Sequence, residues 1–219
     1  MDRLDIEKFD LFPIEKTISG STIIPDKSGM YAWYLNFSKF QNISTKEEFE
    51  INIQKIDDLI SKDTLNGSVK SFFRKYDIRL DETRIFVEKF VTEEDNGVFT
   101  VGEKLTSLTL QQCKDILAHL SKFSILVSPL YVGIATSLRT RFKQHKKSFE
   151  GIKDMQNNGD DLSTVMGEAE KSFGGRAAIK GFNWDQLIFA CVEMEIDRRS
   201  IQEQEFLINR FYNPILGRK

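Results

Sequence analysis

The rhythm of apolar and polar positions changes several times along the chain, and each change predicts an element. Gly29-Met30-Tyr31-Ala32-Trp33-Tyr34-Leu35 is almost wholly apolar and aromatic and follows Pro25-Asp26-Lys27-Ser28, the form of a core strand entered from a turn. From Thr45 to Tyr76 the period lengthens. Phe49, Ile53, Ile56, Leu59 and Ile60 recur at three- and four-residue spacing, and Val69, Phe72 and Phe73 follow Asn66-Gly67, so two helices are expected. Arg84 to Val91 and Val98 to Glu103 flank Asn96-Gly97 as the arms of a hairpin, and Leu110 to Phe123 reads as a further helix. The apolar run from Ser124 to Val132 closes at Gly133. Ser137 is placed to cap a helix from Leu138 to about Phe149, with Leu138, Phe142, His145 and Phe149 on one face and Arg141 at its edge. A loop rich in Gly and Asn is expected around Asn157-Asn158-Gly159 and Gly174-Gly175. Leu187 to Ile196 then reads as a central strand, and Ser200 to Phe211 as a helix stopped by Asn213-Pro214.

These elements define an α/β (α+β) class. A small three-stranded, mainly antiparallel sheet is expected from residues near 30–35, 129–133 and 187–196, flanked by the helices after Ser137 and Ser200. A large, mostly helical insertion separates the first two core strands. The corresponding division is an N-terminal segment with the first core strand (1–36), an inserted subdomain (37–125) and the remainder of the core (126–219). With 219 residues, the chain is long enough for one well-buried domain carrying such an insertion.

Composition narrows the class further. No stretch of 18 uncharged apolar residues occurs, and Asp2, Asp5, Glu7 and Asp10 interrupt the first residues where a secretion signal would need an apolar core, so no membrane partner and a cytoplasmic location are expected. Cys113 and Cys191 have no partner at ligand spacing and read as buried thiols. The net charge of −2 excludes an indiscriminate polycation, but its distribution is uneven. Lys46 to Asp95 carries nine basic and thirteen acidic residues, whereas Tyr131 to Gly181 carries nine basic and six acidic. An anionic partner should meet the second half.

The chemistry-bearing set is Gly29-Met30-Tyr31, Tyr131-Val132-Gly133, Arg141, His145 and Glu205, followed by Pro214. Arg141 and His145 lie one turn apart on the same helical face. Each residue also has an ordinary reading: strand tyrosines are mostly core, a helical Arg is usually solvated, and a single His is commonly a satisfied structural residue. Of two acidic candidates, Glu203 completes the capping-box pattern Ser200-Ile201-Gln202-Glu203, whereas Glu205 has no such duty and falls on the side expected to face the protein. His119, on the insertion helix, is treated as structural.

Taken together, these residues resemble the GIY-YIG nuclease superfamily. The first tripeptide is Gly29-Met30-Tyr31 and the second Tyr131-Val132-Gly133. Arg141 and His145 follow Tyr131 as on the family's catalytic helix, and Glu205 precedes Pro214 as the family's metal-binding Glu precedes its turn. The resemblance covers about 28–37 and 126–217. It departs from the family in the long insertion between the two tripeptides and in Gly217, which stands where the family has Asn; Asn213 is a nearby substitute.

The resemblance implies a metal-dependent endonuclease, a hydrolase of DNA phosphodiester bonds. Tyr31, Tyr131, Arg141, His145 and Glu205 would be catalytic, and Glu205 would hold Mg²⁺ or another divalent cation such as Mn²⁺. Arg141 would bind the scissile phosphate, and either tyrosine would accept the proton of the attacking water. Gly133, whose missing side chain would let a phosphate approach the backbone, joins Arg139, Lys143 and Lys146 as expected DNA contacts; for the lysines an ordinary solvated helix face is the competing reading. Lys147, Lys171, Arg176 and Lys180 would extend that surface. The Gly-Met-Tyr-Ala-Trp-Tyr stretch and the freestanding size look like the type II restriction endonuclease branch, in which a homodimer matches a palindromic site. A repair or mobile-element nuclease with the same chemistry and a non-catalytic DNA-binding module are the alternatives.

Overall fold

Alternate residues of strand β2 (Gly29–Leu35) are buried, so one face of the strand carries Tyr31, Trp33 and Leu35 into the core. The computed structural model describes residues 10–13, 24–60, 65–70, 75–80, 108–122, 124, 129–196, 201–212 and 214–217. It divides into two units, residues 1–41 with 117–219 and residues 42–116.

In the first unit, β2 lies between β5 (Tyr131–Ala135) and β6 (Leu187–Glu193), antiparallel to both, which is the expected three-stranded core. A fourth strand, β1 (Asp10–Pro13), pairs antiparallel with the outer side of β6, giving the order β1-β6-β2-β5. The sequence reading missed β1 because four residues ending in Pro carry little periodic signal, and such a segment is tolerated at a sheet edge. The register sets Tyr31 opposite Gly133 on one side and Cys191 on the other, and Trp33 opposite Tyr131 and Phe189. Side chains directly opposite share a face, so this pairing gathers the aromatic set.

The aromatic face is covered by helix α3 (Leu138–Asn158), whose inward stripe is Leu138, Phe142, His145, Phe149 and Ile152. Ser137 caps it through the Thr140 N–H. The helix runs past the expected end near Phe149 because Ile152 continues the buried stripe, and it stops at Gly159, whose φ of 75° is left-handed. Two more helices, α4 (Leu162–Ala169) and α5 (Phe173–Ile179), occupy the segment whose Gly and Asn content reads as a loop. Asp161 and Ser172 cap them, and position 174 needs glycine because a Cβ there would run into the His145 carbonyl oxygen. This glycine marks a close helix crossing, not a turn.

Trp33, fully buried, holds the layer together. Its ring centroid lies 5.7 Å from Phe142, 5.1 Å from Phe173, 5.2 Å from Trp184 and 5.0 Å from Phe189. Burial of each such ring stabilises the fold by about 1.5–3 kcal/mol. The last helix, α6 (Ile201–Tyr212), packs along β5. The turn after it is tied to the residues that lead into β5, by Ile215 N–H to the Pro129 carbonyl (3.2 Å) and Leu216 N–H to the Leu130 carbonyl (2.7 Å).

The second unit holds helix α1 (Lys46–Ile60), whose Phe49, Ile56 and Leu59 are buried, and a hairpin of β3 (Leu65–Lys70) and β4 (Lys75–Leu80). The hairpin replaces the second helix expected around Val69. Lys75-Tyr76-Asp77-Ile78-Arg79-Leu80 alternates polar and apolar residues with period two, and that local rhythm outweighs the three-residue spacing of Val69 and Phe72. Helix α2 (Leu110–Lys122) forms where expected, whereas the hairpin expected around Asn96-Gly97 lies outside the described residues. Cys113 and Cys191 are both buried and form no disulfide. Among the described residues no helix is long and apolar enough to cross a membrane.

Candidate active site

Four elements deliver the five residues. Tyr31 comes from the middle of β2, Tyr131 from the start of β5, Arg141 and His145 from consecutive turns of α3, and Glu205 from the first half of α6. Residues separated by up to 174 positions therefore meet at one end of the β2–β5 pair. The ring centroids of Tyr31, Tyr131 and His145 form a near-equilateral triangle with sides of 6.0, 5.6 and 5.9 Å.

Hydrogen bonds join these rings to the carboxylate. The Tyr31 hydroxyl lies 3.1 Å from His145 Nε2, and the Tyr131 hydroxyl donates to Glu205 Oε1 at 3.4 Å. A Cβ on Gly133 would sit 2.6 Å from the Tyr31 hydroxyl and 3.0 Å from Glu205 Oε1. Glycine at this position is thus a steric requirement of the site: the volume a side chain would occupy is taken by a phenol and bordered by the carboxylate.

Burial then sets the charge states. His145 is only 4% exposed, and desolvation, with the Arg141 and Arg176 guanidinium groups nearby, pushes its pKa down to about 3. The imidazole is neutral at neutral pH. Its Nδ1 is buried and meets no hydrogen-bond partner among the described residues. An orphaned N–H is costlier than an orphaned lone pair, so the favoured tautomer carries its proton on Nε2 and donates it to the Tyr31 oxygen. The Tyr31 hydroxyl then keeps its own proton to donate, and the neighbouring Tyr131 hydroxyl donates to Glu205. Burial, then Tyr131, holds the Tyr31 phenol well above its ordinary pKa; Arg141 opposes them, and Glu205 adds a smaller push upward. Tyr31 is a protonated group.

The other half of the cluster carries charge. Glu205 and Arg141 are half-buried. Arg176, from α5, places its guanidinium carbon 5.6 Å from the centre of the Tyr131 ring. The sequence reading set Arg176 on an outlying phosphate surface; its placement here depends on α5 being a helix, which the glycine pair concealed.

The expected DNA contacts separate. Gly133 is inside the cluster. Arg139 donates through Nε to the Ile24 carbonyl at 2.8 Å and so anchors the segment entering β2. Lys143 is exposed about half a helical turn away from the His145 face, and Lys146 pairs with Glu150 at 3.7 Å. Asn213 lies outside the described residues. At Gly217 a Cβ would meet the Pro214 ring at 2.8 Å, so the tight turn closed by Gly217 N–H on the Pro214 carbonyl (3.1 Å) disfavours any larger residue.

Among the described residues no three His, Cys, Asp or Glu side chains converge as a metal cage. Glu205 is a half-buried carboxylate that accepts from the Tyr131 hydroxyl, a donor that suits a hard cation drawing its remaining ligands from phosphate and water. No family model, curated protein or solved structure matches the chain.

Proposed function

We propose that the protein is a metal-dependent DNA endonuclease of the GIY-YIG type. The observation that carries this reading is the convergence of Tyr31, Tyr131, His145 and Glu205, with the Arg141 side chain close enough to bias both Tyr31 and His145. Phosphodiester hydrolysis needs a base for the attacking water, positive charge at the phosphate and help for the leaving oxygen. Tyr131 is assigned the base, because Tyr31 is held protonated by burial; it would act as the phenolate, with the Arg176 guanidinium beside its ring and the bound cation as compensating charges. Arg141 binds the scissile phosphate. His145 remains neutral and orients Tyr31, which in turn aligns Tyr131. Glu205 is the ligand for Mg²⁺ or Mn²⁺, which when bound supplies charge neutralisation at the phosphate and leaving oxygen. Gly133 keeps the space beside the phenol clear.

Restriction of DNA in the cytoplasm, by a homodimer at a palindromic site, is the biological setting proposed. Repair or mobile-element cleavage would use the same residues. Incubating the purified protein with plasmid DNA and Mg²⁺ tests the chemistry: cleavage is expected, and Glu205→Ala or Arg141→Ala should abolish it while DNA binding survives. Binding without cleavage by the wild type would favour a non-catalytic DNA-binding module, and absence of both would remove the proposal.

A further inference from the structure

Arg176 stands out because it is held more firmly than a surface arginine. Its Nε donates to the Leu216 carbonyl at 2.9 Å and its Nη1 to the Glu170 carbonyl at 2.8 Å. Leu216 N–H in turn donates to the Leu130 carbonyl at 2.7 Å, immediately before Tyr131. One side chain thus ties the α4–α5 connection to the C-terminal turn, and that turn to the entry of β5. The guanidinium so fixed lies 5.6 Å from the centre of the Tyr131 ring. The Tyr131 ring also meets the His145 ring edge-on at a separation of 5.9 Å, and its hydroxyl meets Glu205. A planar cation over an aromatic face is attracted to it, and the fork geometry lets two carbonyls set its orientation, which a lysine reproduces only in part.

We infer that Arg176 is a positioning residue for the cleavage reaction, clamping the Tyr131 ring in the orientation that directs its hydroxyl to Glu205 and keeping a fixed positive charge beside it. This rests on the nuclease reading above. Orientation of a reacting group affects the chemical step more than substrate binding, so the two kinetic constants separate the inference from a plain phosphate contact.

The test compares wild type, Arg176→Gln and Arg176→Lys for cleavage of a DNA duplex in Mg²⁺, with kcat and KM measured separately and thermal melting recorded for each. Arg176→Gln is expected to lower kcat by about tenfold or more while KM stays within about twofold, and Arg176→Lys to recover part of that loss. Unchanged kcat in Arg176→Gln overturns the inference. So does a rise in KM alone, which would make Arg176 a DNA contact. So does a kcat loss that follows the fall in melting temperature and vanishes when the assay is cooled, which would make the residue merely structural. A wild-type protein that cuts no DNA defeats the nuclease reading itself, whereas a cutting wild type with equally active variants defeats only the role of Arg176.

Discussion

The two tyrosines of the site sit one strand apart in one sheet, yet their surroundings differ in kind. Tyr31, on the central strand β2, is sealed beneath α3, touches a neutral imidazole and is 2% exposed. Tyr131, on the outer strand β5, is 7% exposed and lies between a carboxylate and a guanidinium. The elements packed on each ring explain the difference. Tyr31 meets the imidazole that α3 carries over the sheet. Tyr131, also buried and on a strand whose five residues are all buried, meets the Arg176 guanidinium from α5 and the Glu205 carboxylate from α6. One phenol is therefore held neutral by burial, and the other sits beside two charged side chains.

Removing each hydroxyl in turn breaks or sharpens that contrast most directly. Tyr131→Phe is expected to lower the DNA cleavage rate by about 10²–10⁴-fold, as loss of a general base does. Tyr31→Phe should cost much less, about tenfold, because it removes only an aligning hydrogen bond. Equal losses in the two variants would erase the distinction between aligning phenol and base.

The sealed half also depends on the tight crossing of α5 over α3. Gly174→Ala would push a methyl into the His145 carbonyl and should destabilise the fold by about 1–3 kcal/mol, read from chemical denaturation. An unchanged midpoint would mean that α5 sits further from α3 than described.

Buried neutral His145 predicts a pH dependence of stability. Its folded pKa of about 3 lies below the unfolded value of about 6.5, so the unfolded state binds a proton that the folded state refuses. The stabilisation is complete above pH 6.5 and declines as pH falls towards 3, by up to about 1.4 kcal/mol per pH unit. Denaturation at pH 6.5 and pH 5 should show a shallower loss in His145→Phe than in wild type. Equal slopes would place the imidazole in contact with water.

The smallest effect is expected outside both halves. Lys143→Gln should leave stability unchanged, and if the exposed side of α3 follows a DNA backbone, it should reduce the slope of log affinity against log salt by about 0.9. No change in that slope would leave Lys143 an ordinary solvated residue.

Strand β2 was legible because seven consecutive residues are nearly all apolar and the preceding turn marks its start. Helix α3 was legible because its capping serine and inward stripe are local. Local patterns failed where long-range packing decides. The Gly174-Gly175 pair reads as a loop in isolation, but in the helix these positions face the His145 backbone of α3 and the Ala169 backbone of α4, where no side chain would fit. The β3–β4 hairpin was hidden because Val69, Phe72 and Phe73 imitate a helical spacing beside an alternating strand. At the site, the residue types and their intervals were visible, but the place of Arg176 beside Tyr131, rather than on an outlying surface, was not, since nothing near it in sequence points to Tyr131.

By itself the chain determined which residues can do chemistry and which stretches must be buried, because side-chain type and periodicity are local properties. Only the tertiary structure decided which phenol is held protonated, which tautomer His145 favours and which cation guards Tyr131. Those properties come from desolvation and from charges a few ångströms away on other elements, and no interval along a sequence encodes that distance.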